Sequence, residues 1–345
     1  MDKKARIGIS VGDLNGVGSE LILKTFSDPR MFEFCTPVVF ASNRSFQYLK
    51  KHFNLPVATQ QVDNLDKLSD KKLNVFNLWK DSFNFEFGKE TPEAGKLAIE
   101  SLKEATSALK AKKIDALLTA PINKANIQAE DFSFPGHTDF LAQELEGNPL
   151  MFMVSDELKI GLLTDHVAVK EVAEVITPKL IKEKIMTIHE SLKKDFRVRK
   201  PKIAVLGINP HSGDNGVIGK EDDEVLRPTL AQLNESGILV YGPYAADGFF
   251  GSQSYNKFDA VIASYHDQGL IPFKTLTFGQ GVNYTAGLSE VRTSPDHGTA
   301  YDIAGQGKAN INSFKEALFT AIKIVKNRAE YQELTSNVLR KRKKI

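Results

Sequence analysis

Three histidines follow strand-like stretches of the chain and could together bind a metal ion. His166 lies in TDH, His211 in NPHSGDNG and His266 in SYHDQG, each after a short apolar run. Three protein imidazoles that leave coordination positions open are typical of a catalytic divalent site, with zinc as the first candidate. They converge only if their strands are neighbours in a sheet. The alternative for each histidine is an ordinary role, in which the ring caps a turn or bonds a backbone carbonyl.

Cationic and amide side chains downstream of the third histidine could bind an anion. Lys274, Asn283 in GQGVNYTAG and Arg292 in EVRTSPDHGTA offer donors to a phosphate or carboxylate. Taken alone, each of these residues fits an ordinary position on the protein surface as well as it fits a ligand-binding role. His137 and Thr138 in PGHTDF either contact a substrate or begin a helix with Thr138 as its N-cap.

These residues require a scaffold of alternating strands and helices. Apolar runs without polar alternation predict strands buried on both faces of a parallel sheet: RIGISV, PVVFA, IDALLTA, LKIGLLT, KIAVLGI and FDAVIA. Helical spacing in residues 93–112, 178–194 and 313–328 completes an α/β pattern. Ligands of open α/β sheets bind outside the carboxyl ends of the strands. We therefore expect the polar stretches that follow the strands, which include GDLNG and TAPINK, to form one crevice.

The composition is that of a globular protein without a marked charge. The 345 residues are 41% hydrophobic and 26% charged, with a formal net charge of +2, and this length suffices for two packed cores. The basic run RKRKKI is interpreted as solvated, so we expect no nucleic-acid partner. The single cysteine, Cys35, excludes an internal disulfide and multi-cysteine metal sites. No long apolar segment is present, so we expect a cytoplasmic protein with no membrane partner.

Some features favour a structural interpretation. His189 lies inside the predicted helix 178–194, and His52 follows Lys50 and Lys51, so we expect neither to bind a ligand. The polar residues 63–72 are typical of a surface connection.

The glycines do not form the usual dinucleotide-binding motif. GDLNGVG and GDNGVIG are the glycine-rich stretches after strands, and neither has the spacing G-x-G-x-x-G. A nicotinamide cofactor would therefore need a different loop.

Taken together, the motifs resemble those of the 4-hydroxythreonine-4-phosphate dehydrogenase family. GDLNGVGSE, TAPINK, FPGHTDFL, LLTDHVAV, GINPHSGDNG, YHDQGLIPFK, GVNYTAGL and RTSPDHGTAYDIAGQGKAN follow one another in the family's order, over nearly the whole chain. The last motif also resembles a segment of isopropylmalate and isocitrate dehydrogenases, which bind NAD without the usual glycine motif. The resemblance implies two α/β/α domains separated by a cleft, one of residues 1–135 plus 285–345 and one of residues 136–284. GDLNGVGSE and TAPINK differ from the family's commoner GDPAGIGPE and TGPxxK.

The resemblance also implies roles for individual residues. One divalent metal per site, zinc, magnesium or cobalt, is bound by His166, His211 and His266. Substrate is bound by His137, Thr138, Lys274, Asn283 and Arg292. NAD or NADP is bound by the loop 296–310, with Asp296, His297, Gly298, Thr299, Ala300, Asp302 and Asn310. Three groups are candidates for proton transfer: Lys124, Asp247 and Asp267. The family forms homodimers with sites near the subunit interface, and metal ligands can come from both chains.

The implied reaction is the NAD(P)-dependent oxidation of 4-phosphohydroxy-L-threonine, followed by decarboxylation, in pyridoxal 5'-phosphate biosynthesis. One alternative keeps the chemistry and changes the substrate to another hydroxy-acid phosphate, such as a four-carbon sugar-acid phosphate. A second is a metal-dependent hydrolase, because three histidines also suit an activated water. A third, a binding module without activity, is disfavoured because all eight metal and substrate positions carry the expected residue type.

Overall fold

The computed structural model describes residues 4–128, 132, 134 and 136–336. Their strands are β1 (Ala5–Ser10), β2 (Cys35–Ala41), β3 (Thr59–Val62), β4 (Leu73–Asn77), β5 (Ala116–Thr119), β6 (Gly147–Val154), β7 (Lys159–Leu162), β8 (Ile203–Leu206), β9 (Val240–Tyr244), β10 (Ala260–Ala263), β11 (Val282–Leu288) and β12 (Arg292–Pro295). The six strands predicted from apolar runs are confirmed as β1, β2, β5, β7, β8 and β10. The others include β12, whose sequence RTSP has no apolar run to reveal it.

The helices lie between these strands. They are α1 (Gly18–Phe26), α2 (Asn43–His52), α3 (Pro92–Lys110), α4 (His137–Glu144), α5 (Val172–Val175), α6 (Pro178–Lys194), α7 (Arg227–Glu235), α8 (Ala246–Gly251), α9 (His266–Thr277) and α10 (Asn312–Ser336). The three predicted helices are confirmed as α3, α6 and α10. Both α3 and α6 have a threonine as N-cap and a proline as the first helical residue. The side chain of each threonine accepts a hydrogen bond from the backbone N–H three residues later, which explains where these helices begin.

The strands form one 12-stranded sheet in the order β3-β4-β2-β1-β5-β12-β11-β6-β7-β10-β8-β9. Neighbouring strands are parallel except where β11 pairs with β12 and β6, and where β6 pairs with β7. A purely parallel sheet was expected, so the antiparallel centre corrects that prediction. The strands before residue 120 and β12 occupy one half of the sheet, and β11 with the strands of residues 147–263 occupies the other. The division into two domains stays a prediction.

Helices cover both faces of the sheet and produce the buried core. Along β2, Val39 packs in one cluster with Phe314 of α10, whereas Val38 and Phe40 pack on the opposite face with Leu102 of α3. Alternate residues of a strand point to opposite faces, so β2 is apolar throughout because both faces are buried. This arrangement confirms the α/β fold class.

Two further observations concern the surface. Residues 63–72 connect β3 to β4 and are mostly exposed, as predicted. Among the helices of the described ranges, none is both long enough and apolar enough to cross a membrane.

Candidate active site

One face of the neighbouring strands β5, β12, β11 and β6 forms the floor of the candidate active site. Residues two apart on a strand share a face, as do Asn283 and Thr285 of β11. The register places Asn283 opposite Ser294 of β12, and Thr285 opposite Met151 of β6. Arg292 lies two residues before Ser294 and shares its face. The floor is polar at the sheet centre, which explains why β12 lacks an apolar run.

Arg292 is the central charge of this floor. It is 1% exposed. Its Nε and Nη2 donate to Thr119 Oγ1 at 3.2 and 2.7 Å, and its Nη1 donates to Thr285 Oγ1 at 3.1 Å. Burial lowers the pKa of Arg292 to about 9, and no carboxylate in the described part of the chain opposes this shift. A buried cation without a counter-ion is costly, so an anionic ligand at this position would be stabilised.

The start of α4 faces this arginine. The helix begins at His137 after Gly136, which provides no side-chain cap, so the N-cap interpretation of Thr138 is wrong. Burial, with a smaller contribution from the charge of Arg292, holds the pKa of His137 well below its usual range. Within the described part of the chain, the buried Nε2 of His137 and Oδ1 of Asn283 have no hydrogen-bond partner. Buried polar atoms normally have partners, so both are available to a ligand.

These groups line a pocket of about 540 Å³, a size suited to a small molecule. The pocket brings together eight of the predicted site residues: Lys124, His137, Thr138, His166, Asn283, Arg292, His297 and Gly298. It also contains Thr119, Ser294, Asp139 and Asp165, which the sequence did not single out. The alternation of apolar and polar residues in VNYTAGL of β11 was the signal that could have revealed Thr285.

Two predicted proton-transfer residues lie in a different depression. Asp247 of α8 and Asp267 of α9 line a groove with Phe250 and Ile271, whereas Lys124 lines the main pocket. Within one chain, therefore, Lys124 is the one of the three that lies beside Arg292 and His137.

Lys274 contacts the predicted cofactor loop. Its Nζ lies 3.2 Å from Asp296 Oδ1, and both of these residues had been assigned to ligands. Burial raises the pKa of Asp296, and the opposing effect of Lys274 is smaller. The ion pair links α9 to the end of β12 at the edge of the pocket.

The predicted metal ligands are only partly brought together. His166 follows β7 and His266 follows β10, which are adjacent, and the centroids of the two imidazole rings are 6.2 Å apart. His266 Nδ1 bonds Asp267 Oδ1 at 2.7 Å, which leaves Nε2 free. Imidazoles that bind metals commonly have such a carboxylate partner, so the arrangement of His266 suits a divalent ion. Across the described ranges, however, no three His, Cys, Asp or Glu residues are grouped closely enough to hold one metal ion.

His211 is the predicted ligand that does not join the other two. It begins a run of six residues, 211–216, whose φ values all lie between +45° and +85°. A left-handed backbone costs about 1–2 kcal/mol for each residue other than glycine. Asp222, which is fully buried, bonds the preceding turn through the backbone N–H groups of Ile208 and Asn209 at 2.8 and 3.0 Å. The sequence showed the turn-forming residues but not this conformation.

The predicted cofactor loop, residues 296–310, packs against the first glycine-rich loop. Val17 N donates to Thr299 O at 3.0 Å, and a Cβ added to Gly16 would lie 2.9 Å from the same oxygen. Tyr301 OH donates to the buried carboxylate of Asp13 at 2.8 Å. Burial is the largest cause that raises the pKa of Tyr301. The close approach of the Thr299 carbonyl oxygen explains why position 16 is glycine.

The open part of this loop suits a bound group. His297 Nε2 is buried without a partner in the described residues, and Gly298 has no neighbouring atom within 4 Å of the position its Cβ would take. Both line the pocket. Ala300, Asp302 and the end of the loop lie outside it, so the pocket meets the loop at its first residues. His52, predicted to be structural, bonds Gly305 O in this loop at 2.9 Å.

The chain is similar to known proteins over nearly its whole length. The model of the family "Pyridoxal phosphate biosynthetic protein PdxA" matches residues 33–321. A 4-hydroxythreonine-4-phosphate dehydrogenase from Bacteroides thetaiotaomicron is 48% identical over 342 residues, which cover 99% of this chain and 94% of that protein. A protein from Oceanobacillus iheyensis named for D-threonate 4-phosphate dehydrogenase activity is 36% identical over 329 residues, 94% of this chain and 99% of that one.

A solved structure has the same fold. The 4-hydroxythreonine-4-phosphate dehydrogenase of Klebsiella pneumoniae is 31% identical and superimposes with a TM-score of 0.82, covering 94% of this chain and 98% of that chain. The resemblance inferred from the motifs is thereby confirmed.

Proposed function

The chain belongs to the PdxA family of pyridoxal phosphate biosynthetic proteins, and we propose that it is the oxidoreductase that converts 4-phosphohydroxy-L-threonine to 2-amino-3-oxo-4-phosphooxybutanoate. This product loses CO₂ to give 3-amino-2-oxopropyl phosphate. The family and its relatives support this reaction. The pathway is pyridoxal 5'-phosphate biosynthesis.

The observation that carries the proposal is the buried cation of Arg292 in the pocket, for which the described residues provide no carboxylate partner. A phosphorylated amino acid brings a phosphate and a carboxylate, either of which would neutralise this charge. His137, Thr138 and Asn283 line the same pocket and would bind further oxygen atoms of the substrate. We assign Lys274 to the substrate as well, on the family resemblance, although it pairs with Asp296 in this structure.

The chemistry requires a hydride acceptor and a way to remove the hydroxyl proton. Bound NAD⁺ or NADP⁺ would accept the hydride, and a bound divalent ion, zinc, magnesium or cobalt, would lower the pKa of the substrate hydroxyl. The loop 296–310 would hold the nicotinamide cofactor, with His297 and Gly298 at the pocket. Lys124 lines the pocket and, as a neutral amine, is our first candidate to take the proton.

His166 and His266 would hold the metal, with Asp267 orienting the second imidazole. The third ligand, His211, would come from a second subunit of a homodimer. Large apolar side chains that are unusually exposed follow all three histidines within six residues: Val169 at 78%, Val217 at 80% and Ile271 at 62%. A homodimer interface at these positions would cover these exposed apolar side chains. A mass measurement in solution that gave a monomer at assay concentrations would contradict the shared site.

A second candidate substrate is D-threonate 4-phosphate, favoured by the Oceanobacillus iheyensis relative. It shares the terminal phosphate and the hydroxy acid but replaces the amino group by a hydroxyl. Arg292 would bind the anion of either compound, so the two substrates differ at a group for which the pocket offers several polar side chains, among them Asp139 and Asp165.

The test is turnover measured side by side. Purified, metal-loaded protein would be mixed with each substrate and with NAD⁺ or NADP⁺, while reduced cofactor and free phosphate are followed in parallel. We expect reduced cofactor to form fastest with 4-phosphohydroxy-L-threonine and to require the metal. Faster turnover of D-threonate 4-phosphate would change the substrate, and phosphate release without reduced cofactor would indicate a hydrolase.

A further inference from the structure

The hydrogen bonds of Arg292 come from two threonines on the strands to either side of it. Thr119 is the last residue of β5 and Thr285 lies within β11, whereas Arg292 begins β12, the strand between them. Both threonines are fully buried. The guanidinium is therefore held from two sides by the rigid centre of the sheet.

These contacts fix the plane of the guanidinium and still leave donors free. Thr119 Oγ1 accepts from both Nε and Nη2, and Thr285 Oγ1 accepts from Nη1. An arginine has five N–H donors in a planar fork. Two of them therefore remain without a partner in the described part of the chain, one on each terminal nitrogen, and a fork of this kind matches two oxygens of a phosphate or carboxylate.

The neutrality of the two partners is as important as their position. A carboxylate could hold an arginine equally firmly, but it would cancel the charge that attracts the anion. Arg328, whose side chain is 12% exposed, shows this contrast: its Nε lies 2.7 Å from Asp195 Oδ1, within a network that also contains Tyr284. Arg328 is thus paired with a carboxylate, whereas hydroxyls are the sole partners of Arg292 among the residues that the structure describes.

We propose that Thr119 and Thr285 are positioning residues, which hold the Arg292 fork in the plane that binds an oxyanion of the substrate while leaving its charge uncompensated. The inference rests on the proposed function, because it takes Arg292 to be a substrate ligand. The threonines touch Arg292 and need not touch the substrate themselves.

The experiment compares Thr119→Val, Thr285→Val and Thr119→Ser with a matched control. Valine keeps the shape and β-branching of threonine and removes the acceptor, whereas serine keeps the hydroxyl. The control is Thr293→Val: Thr293 is equally buried, is adjacent to Arg292, and donates its hydroxyl to Ala317 O at 2.9 Å on the α10 side of the sheet. All variants would be checked for folding by their thermal midpoints.

Two quantities would be measured: the Kd for inorganic phosphate by calorimetry, and KM and kcat for 4-phosphohydroxy-L-threonine. We expect Thr119→Val to raise both the Kd and the KM by about tenfold or more with little change in kcat, since a lost binding interaction of this kind raises KM. Thr285→Val should do the same to a smaller extent, because it removes one bond rather than two. Thr119→Ser should restore values near those of the wild type, and Thr293→Val should leave them unchanged.

Several results would overturn the inference. A folded Thr119→Val with the wild-type Kd and KM would do so, as would an equal rise in KM in Thr293→Val, which would indicate general damage to the sheet. If Thr119→Val does not fold, Thr285→Val with an unchanged Kd decides against the inference. A wild type that binds phosphate in a Thr119-dependent way but oxidises no substrate would contradict the proposed function while supporting the inference, and a wild type that binds no phosphate would contradict the inference.

Discussion

Arg292 and Arg328, two arginines with little solvent exposure, should respond in opposite ways to the same substitution. Arg292 is held by hydroxyls and faces the pocket, whereas Arg328 is paired with Asp195, which is 2% exposed. Methionine has a similar length and no charge, so Arg292→Met and Arg328→Met form a matched pair. We expect the first to remove activity with little loss of stability, and the second to remove stability with little loss of activity.

The magnitudes follow from the partners of each side chain. Two N–H donors of Arg292 have no partner among residues 4–128, 132, 134 and 136–336 and could bind a substrate oxyanion. A hydrogen bond to a charged group contributes about 1.5–3 kcal/mol. The loss in Arg292→Met is therefore about 3–6 kcal/mol, or roughly 10²–10⁴-fold in kcat/KM. Its free energy of unfolding should change little, because removal of an unpaired buried cation offsets the loss of bonds to Thr119 and Thr285.

Arg328→Met leaves Asp195 as a buried charge without its cation. Breaking a buried ion pair in this way costs about 3–5 kcal/mol of stability. The remaining bonds to Asp195 from Ser191 and Tyr284, at 2.7 and 2.6 Å, should keep the loss toward the lower end. Urea unfolding would give the free energy of unfolding, and reduced-cofactor formation at limiting substrate would give kcat/KM. The reasoning would be refuted if Arg292→Met lost more than about 3 kcal/mol of stability while keeping its kcat/KM.

Three further predictions concern the cofactor loop, the metal site and the pocket. Gly16→Ala places a Cβ 2.9 Å from a backbone oxygen of the predicted cofactor loop, so the KM for the nicotinamide cofactor should rise. Gly248→Ala is the control, because its added Cβ meets no atom within 4 Å. Equal KM values in the two variants would contradict the packing argument. Asp267→Asn weakens the carboxylate partner of His266 and should lower zinc affinity about 10–100-fold in a chelator competition, and unchanged affinity would remove Asp267 from the site. The pKa of His137 is lowered in the folded protein, so just below the usual histidine pKa the unfolded chain binds more protons than the folded one. In this pH range the free energy of unfolding should fall with decreasing pH by up to about 1.4 kcal/mol per pH unit. His137→Asn should reduce this slope.

The sequence predicted the parts of the fold that depend on local pattern. The apolar runs of β1 or β10 and the helix 178–194, with its proline after a capping threonine, are determined by residues close together in the chain. The strand β12 could not be found in this way, because its buried residues, RTSP, are mostly polar and contribute to the pocket rather than to the apolar core. Likewise, the antiparallel pairing of β11 with β6 joins residues more than a hundred positions apart in the chain.

The candidate site shows the same division. Resemblance and strand exits singled out His137, Asn283 and Arg292, and the pocket contains all three. Thr119 and Thr285 were missed because a threonine in a strand is ordinary until its cross-strand neighbour is known. The left-handed run that begins at His211 was missed because four of its six residues are not glycine.

The central claim is that this pocket binds a phosphorylated hydroxy amino acid through Arg292. A crystal structure of the protein with 4-phosphohydroxy-L-threonine and a divalent metal tests this claim most directly. We predict that a phosphate or carboxylate of the substrate will accept hydrogen bonds from both terminal nitrogens of Arg292, with its hydroxyl facing the His166 side of the pocket. Substrate bound elsewhere, with Arg292 still contacting only Thr119 and Thr285, would contradict the account.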